Sequence, residues 1–188
     1  MPDGGPRNIV IPKPADQESA VRQLSKLRAQ EQGSRPQQAA FLLAVLGVDY
    51  EKNRDYLLWV LRGCGVPEIT RGCDDVTGMY LAYLYDRGHR EVLQPLMTEG
   101  VESYNAAGSE SIGSFLSELI VKSPNEFLDA IRPLPVPTQR RICSFAGAAD
   151  GGGMAPADLR KVRSHLRMMT DPVASRCLRE IEKANKPQ

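Results

Sequence analysis

Apolar residues in this chain recur at intervals of three and four positions, the spacing that places side chains on one face of an α-helix. Between residues 156 and 169, for example, Leu159, Val162, Leu166 and Met169 lie at this spacing among basic residues. No stretch shows the sustained alternation of apolar and polar residues, bounded by turns, that is typical of a β-hairpin. The pattern predicts an all-α fold of about nine or ten helices with no sheet.

Two helix starts are marked by a capping residue followed by proline. Ser123 precedes Pro124, and Glu126 follows three residues after the serine, which is the signature of a capping box with proline at the first helical position. Asp171 precedes Pro172 in the same manner. We expect the side chain of Ser123 to cap the helix that it precedes, and Asp171 with Pro172 to mark the start of the last helix.

The chain divides into a leader and one domain. Residues 1–14 contain four prolines and two glycines with little apolar content, which is typical of a flexible segment. Residues 15–188 are of a length that one domain with a single core accommodates. We therefore predict a leader over residues 1–14 and one helical domain over residues 15–188.

An internal match appears when the chain is laid on itself at an offset of 35 residues. In the first helix of a pair, Tyr80, Leu81 and Leu84 align with Phe115, Leu116 and Leu119. In the second helix, Val92, Leu93 and Leu96 align with Phe127, Leu128 and Ile131. One step earlier, Leu57, Leu58 and Leu61 align with Val92, Leu93 and Leu96. Such pairs bury their apolar faces by stacking on their neighbours.

These paired positions resemble the helical repeats of HEAT and armadillo proteins over about residues 36–133. The resemblance implies stacked antiparallel helix pairs that form an α-solenoid-like right-handed superhelix, and it implies architecture more than function. The prolines at 133, 135 and 137 interrupt the pattern, so residues 138–186 are expected to form a C-terminal helical cap. An irregular helical bundle with chance matches is the alternative.

Charge is balanced overall but unevenly distributed. The chain has 24 Lys and Arg against 23 Asp and Glu, whereas residues 132–188 alone have 11 against 5, a net of +6, which leaves −5 for residues 1–131. Arg160, Lys161, Arg163 and Arg167 lie opposite the apolar stripe of their predicted helix and form an exposed basic face. We take this face as a candidate site for a partner protein or an anion, including a phosphate backbone. The alternative is a face that is solvated or paired within the molecule.

Metal and cofactor signatures are incomplete in this sequence. The two histidines, His89 and His165, have no His or Cys three or four residues away with which to begin a zinc site. Residues 49–55 have the oxygen-ligand spacing of a calcium loop, but Arg54 occupies the position of the turn glycine. The glycines that follow Asp150 lack the Gly-Lys of a phosphate loop. We predict no metal and no cofactor site.

Catalytic signatures are incomplete too. Ser111 lies in a near match to the nucleophile elbow, but the first glycine is missing and a helix is predicted there. Neither Ser111 nor Cys143 has an evident base. Two acidic pairs, Asp74 with Asp75 and Glu99 with Glu102, fit the polar ends of helices. We predict no catalytic residue.

Cysteine use leaves the compartment open. Cys64 and Cys73 bracket a short loop and would pair in an oxidising compartment, but a chain of this length does not need disulfides and we favour two buried thiols. The longest apolar stretch has about ten residues, half of what a membrane-spanning helix needs. We expect no membrane span and a cytoplasmic protein by default, with an exported domain that has lost its signal peptide as the alternative.

The predicted function is a non-catalytic helical scaffold that binds another protein through a groove or face of its stacked helices. Nucleic-acid or anion binding by the basic C-terminal helices is the first alternative. An enzyme whose site assembles from residues scattered along the chain is the second. The sequence does not indicate an oligomeric state.

Overall fold

The fold of this chain was obtained as a computed structural model that describes residues 16–29, 35–63, 76–102 and 106–186. Ten α-helices lie in these ranges: α1 (Gln17–Arg28), α2 (Arg35–Val45), α3 (Tyr50–Gly63), α4 (Val76–Asp86), α5 (Leu93–Glu102), α6 (Ala106–Lys122), α7 (Pro124–Ile131), α8 (Val136–Ala148), α9 (Pro156–Met168) and α10 (Pro172–Ala184). A 3-10 turn, Arg90–Val92, precedes α5. The described ranges contain no strand, which confirms the predicted all-α class. None of these ten helices combines the length and the apolar character needed to cross a bilayer.

The helices contact one another in two rows. In the first row α2 contacts α4, α4 contacts α6, α6 contacts α8 and α8 contacts α10. The odd-numbered helices from α3 to α9 form the second row in the same order. Their buried side chains make one continuous apolar cluster that extends from Ala40 in α2 to Ile181 in α10. The order of contacts is the same before and after Pro133, while the resemblance to HEAT and armadillo repeats stays a prediction.

The N-terminal helix packs outside this cluster. Leu24 of α1 joins Ala39 and Leu43 of α2 in a second, smaller group of buried residues. Val21 and Leu27 of α1 pack against this group. The apolar spacing in α1 therefore serves the contact with α2 and not the main core.

The two predicted helix starts have different outcomes. Helix α7 begins at Pro124 as predicted, but Ser123 makes no side-chain capping hydrogen bond, so the predicted capping box is wrong. Glu126 pairs instead with Arg90, a residue of the neighbouring turn, at 3.2 Å. Asp171 does cap α10, because its Oδ1 accepts a hydrogen bond from the backbone N–H of Val173 at 2.8 Å. The ion pair of Glu126 with Arg90 thus takes the place of the capping box at α7, whereas the cap of α10 by Asp171 is present.

Helices α8 and α10 approach each other closely. A Cβ atom on Gly147 would lie 2.8 Å from the Cα of Ile181, so glycine is required where the two backbones meet. One turn earlier in α8, Cys143 forms a disulfide with Cys177 of α10, and both residues are almost fully buried. The sequence did not predict this pair, and Cys64 and Cys73, which it did consider as a pair, lie outside the described residues.

Asn185 ties the ends of three segments together. Its Nδ2 donates hydrogen bonds to the carbonyl oxygens of Gly147 and Ile181, each at 2.9 Å. Its Oδ1 accepts a hydrogen bond from the backbone N–H of Met154 at 2.8 Å. The end of α8, the end of α10 and the loop before α9 are therefore held by one side chain.

A pair of tyrosine and glutamate residues recurs in the sequence at the predicted repeat distance. The hydroxyl of Tyr50, the first residue of α3, donates to Glu91 Oε1 at 2.6 Å. Tyr85 in α4 lies 35 residues after Tyr50, and Glu126 in α7 lies 35 residues after Glu91. Burial and the nearby Glu126 carboxylate raise the pKa of Tyr85. Its hydroxyl makes no hydrogen bond within the described part of the chain.

Replacing both Cys143 and Cys177 by alanine should lower the free energy of unfolding. The disulfide closes a loop between residues 34 positions apart, and the loss of such a constraint costs roughly 3 to 4 kcal/mol in the chain-entropy description. Urea unfolding of the variant, compared with the unreduced parent, measures the difference. Peptide mapping without reductant should recover the linked Cys143 and Cys177 peptides, and two alkylatable thiols at these positions would contradict the disulfide.

Asp171→Asn should destabilise the protein at neutral pH and not at low pH. The hydrogen bond from Arg132 Nη2 to Asp171 Oδ2, at 2.6 Å, lowers the pKa of this carboxyl below its ordinary value of 3.8. A lowered folded-state pKa stabilises the fold above pH 3.8, and this stabilisation is lost as the pH falls through the lowered value. Asparagine keeps the helix cap, so melting temperatures of the variant and the parent should converge below pH 3.8.

A matched variant separates the charge from the cap in this experiment. Asp171→Ala removes the capping oxygen as well, which costs about 1 kcal/mol at every pH. Its deficit should therefore persist at low pH. A deficit of the asparagine variant relative to the parent that does not change with pH would show that the Arg132 pair contributes nothing.

Candidate functional site

The predicted basic face lies on α9, and most of its cations have carboxylate partners. Lys161 Nζ lies 3.6 Å from Asp158 Oδ1 on the same helix. Arg163 Nε and Arg167 Nη2 both reach Glu182 Oε1 of α10, at 3.1 and 3.5 Å. Of the four predicted residues, only Arg160 has no carboxylate within 4.0 Å in the described ranges. The face presents less unpaired charge than the sequence indicates, and anion binding there stays a prediction.

Lys161 also belongs to a groove between α6, the loop after α8 and α9. The groove has a volume of about 600 Å³, within the range of ligand sites in proteins, roughly 300–1,000 Å³. One wall is a stripe on α6 with the spacing of one helix face: Ser114, Ser117, Glu118, Val121 and Lys122. Asp150, Asp158 and Lys161 supply the charge on the opposite wall. The arrangement is polar, open and made of three separate segments.

A strained residue lies where the two walls of this groove meet. Ala149, which ends α8, has φ 51° and ψ −116°, a conformation that residues with a side chain rarely adopt. Its carbonyl oxygen faces Gly113 of α6, where a Cβ atom would lie 2.0 Å away. Strain of this kind costs on the order of 1–3 kcal/mol and often accompanies binding sites. Gly113 thus permits an approach that locks the loop against α6.

The loop from Asp150 to Gly153 is closed by its own hydrogen bonds. The amides of Gly151 and Gly153 donate to the carbonyl oxygen of Ala148 at 2.8 and 3.0 Å. The Gly152 amide donates to Asp150 Oδ1 at 3.1 Å. Since these amides are occupied, the loop does not offer the cradle of backbone donors on which a phosphate loop depends.

The charges in the groove are arranged as short ion pairs. Lys122 Nζ lies 3.2 Å from Glu118 Oε2 on α6, and the pair of Lys161 with Asp158 faces it from α9. Asp150 adds a third carboxylate at the rim, so the lining carries three acids and two lysines. Ser114 and Ser117 supply hydroxyls, but no described residue of the lining is a histidine or cysteine. The groove can therefore bind polar and charged groups, and it contains no activated nucleophile.

The remaining candidates for chemistry lie elsewhere and make structural contacts. His89 stacks on Tyr50 with the ring centroids 4.2 Å apart. Its Nδ1 lies 3.5 Å from Glu91 Oε1. Burial, together with the hydrogen bond to Glu91, raises the pKa of Tyr50. Cys143 is not a thiol, because it is in the disulfide. These groups join helix pairs to one another and do not converge on a cavity.

The calcium-like run and the acidic pairs do not assemble a cation site in the described residues. Asn53 is buried, and its Nδ2 donates to the carbonyl oxygens of Val48 and Asp49 at 3.0 and 3.2 Å. Glu99 receives a two-pronged contact from Arg62 of α3, at 2.7 and 2.8 Å. No group of three or more His, Cys, Asp or Glu residues that could hold a metal is present in the ranges given above. Asp74, Asp75 and the side chains of Ser111 and Glu102 lie outside what the structure describes.

Sequence reasoning missed the α6 wall of the groove. The signal was available, because Ser114, Ser117, Glu118 and Lys122 follow helical spacing on one side of a predicted helix. A solvated helix face shows the same spacing, however. Only the position of the loop after α8 distinguishes a groove wall from such a face.

Comparison with known proteins adds no relative to this description. The chain matches no protein-family model, no curated protein and no solved structure.

Proposed function

We propose that this chain is a non-catalytic helical scaffold and that it binds a segment of another protein in the groove between α6 and α9. The observation that carries the proposal is the groove itself, whose volume of about 600 Å³ fits a ligand and whose walls come from three segments locked together. Polar pairs and hydroxyls line it without a nucleophile and base. Such a lining suits recognition more than chemistry.

Rigid walls support a binding role. Gly113 and Ala149 hold the loop against α6, and Asn185 fixes the other end of the same loop to α10 through Met154. A preformed site loses less conformational freedom when a ligand binds, and this raises affinity. Backbone strain such as that at Ala149 is also expected at a preorganised binding site.

The scaffold in this proposal is a stack of helix pairs. The two rows of helix contacts, the apolar match at 35 residues and the recurring tyrosine–glutamate pair all support it. Stacked pairs present extended faces that other proteins bind, and the groove would be one such face. The architecture is thus part of the proposal and is independent of any family membership.

The disulfide bears on where this scaffold acts. Disulfides persist in oxidising compartments and are rare in the reducing cytosol. The pair of Cys143 and Cys177 therefore supports an exported protein over a cytoplasmic one. Isolation of the protein from its source under alkylating conditions, followed by peptide mapping, distinguishes the two compartments.

Site-specific photo-crosslinking tests the groove in the cell that makes the protein. A photoreactive phenylalanine at Ser117, inside the groove, should give a discrete adduct with a protein. The same residue at Ser164, which is exposed on the outer side of α9, should give none. Lys161→Glu should reduce the Ser117 adduct by at least about tenfold, the effect of 1.4 kcal/mol on binding.

Arg160→Glu is the matched control for that charge reversal, because Arg160 is the neighbouring cation outside the groove. It should leave the adduct unchanged, and both variants should melt like the parent since exposed substitutions shift stability by less than about 0.5 kcal/mol. Adducts of equal yield at Ser117 and Ser164 would contradict the proposed site. Adducts with nucleic acid alone would favour the alternative function.

A further inference from the structure

A second surface, on α3, carries an exposed aromatic ring. Trp59 is 51% exposed, and it is the largest exposed apolar side chain in the described part of the chain. Its ring stacks with that of Tyr56, one turn earlier, with centroids 5.9 Å apart and planes inclined by 28°. The two rings form a continuous apolar plate that is half-buried at Tyr56 and exposed at Trp59.

The plate is held in place from α1. The guanidinium carbon of Arg28 lies 3.3 Å from the centroid of the Tyr56 ring, a close cation–π contact. Trp and Tyr have few rotatable bonds, and Tyr56 is further fixed by this contact. Rigid aromatic residues lose little freedom on association, which is why Trp, Tyr and Arg dominate the energy of protein interfaces.

The cation beside the plate has no counter-ion among the described residues. Arg28 contacts no carboxylate in the described ranges, and its buried Nε atom has no hydrogen-bond partner there. On α3 and α5, Asp55 is paired with Arg54 at 2.8 Å and Glu99 is paired with Arg62 at 2.7 Å. Burial lowers the pKa of Arg28, as expected for a cation without a counter-ion.

We infer that the surface formed by Trp59, Tyr56 and Arg28 binds a protein segment that presents a carboxylate beside an apolar side chain. The apolar side chain packs on the plate, and the carboxylate approaches the guanidinium of Arg28. This surface is separate from the groove between α6 and α9, so the inference does not depend on the proposed function of that groove.

Trp59 provides its own signal for the experiment, because it is the only tryptophan in the chain. Peptides are selected from a random displayed library on the parent protein. Selected peptides are then titrated while tryptophan emission is recorded. The inference predicts peptides with Asp or Glu next to apolar residues, a blue shift of the emission on binding, and weaker binding at high salt.

Variants assign the contact to the named residues. Trp59→Ala should weaken binding by at least about tenfold, as for an interface hot spot, while Trp59→Phe retains an aromatic ring and should retain most of the affinity. Arg28→Gln should weaken the binding of the acidic peptides and remove the salt dependence of that binding. Met168→Ala is the matched control, because Met168 is 73% exposed on α9, and it should have no effect.

Three outcomes would overturn the inference. The selected peptides could lack acidic residues, or they could bind Trp59→Ala as well as they bind the parent. In the third outcome no peptide is enriched, while saccharides on an array bind the protein through Trp59. Melting curves of all variants must match the parent curve, and Arg28→Gln provides the test if Trp59→Ala is unstable.

Discussion

One apolar cluster runs through helices α2 to α10, and the rest of the described structure depends on it. The buried residues of these helices belong to this single cluster, so no two neighbouring helices have a core of their own. The last helix must close this cluster without exposing apolar surface. Helix α10 does so, because Val173, Cys177 and Ile181 face the cluster while Arg179 and Lys183 face outward.

Much of the fold could be predicted because helical spacing records which side of each helix is buried. Val162 and Leu166 are buried, and Leu159 and Met169 pack against the same core, as their spacing indicates. Contacts between distant residues leave no such record. Glu126 has the spacing of a capping residue, and its partner Arg90 lies 36 positions away in another turn. Local rules therefore placed the start of α7 correctly and assigned its cap wrongly.

Less of the candidate site could be predicted, for the same reason. Composition and helix geometry indicate that Arg163 and Arg167 lie on an outer face. They do not show that Glu182 of the following helix stands between the two guanidinium groups. The sequence indicates Lys161 as a candidate only through its charge. The tertiary structure places it opposite the stripe of Ser114, Ser117, Glu118 and Lys122 on α6. The strain at Ala149 and the close approach at Gly113 depend on a contact between distant segments.

The groove and the Trp59 surface differ in their physical character. Four of the five charges in the groove are already paired across short distances, so a ligand that binds these groups must replace existing contacts. The Trp59 surface is apolar with one unmatched cation, so a ligand there gains contacts that the isolated protein lacks. Affinity for a ligand in the groove depends on shape, whereas affinity for a ligand at the Trp59 surface depends on a few anchoring residues.

The disulfide between Cys143 and Cys177 encloses the glycine loop and the whole of α9 within one covalent ring. The loop at Asp150 to Gly152 is exposed, which makes it a preferred place for a protease to cut. A single cut there opens the ring without releasing either fragment, because the cysteines still join the two sides. The nicked chain would gain only the mass of one water molecule and keep its helix contacts, and only reduction would separate the pieces.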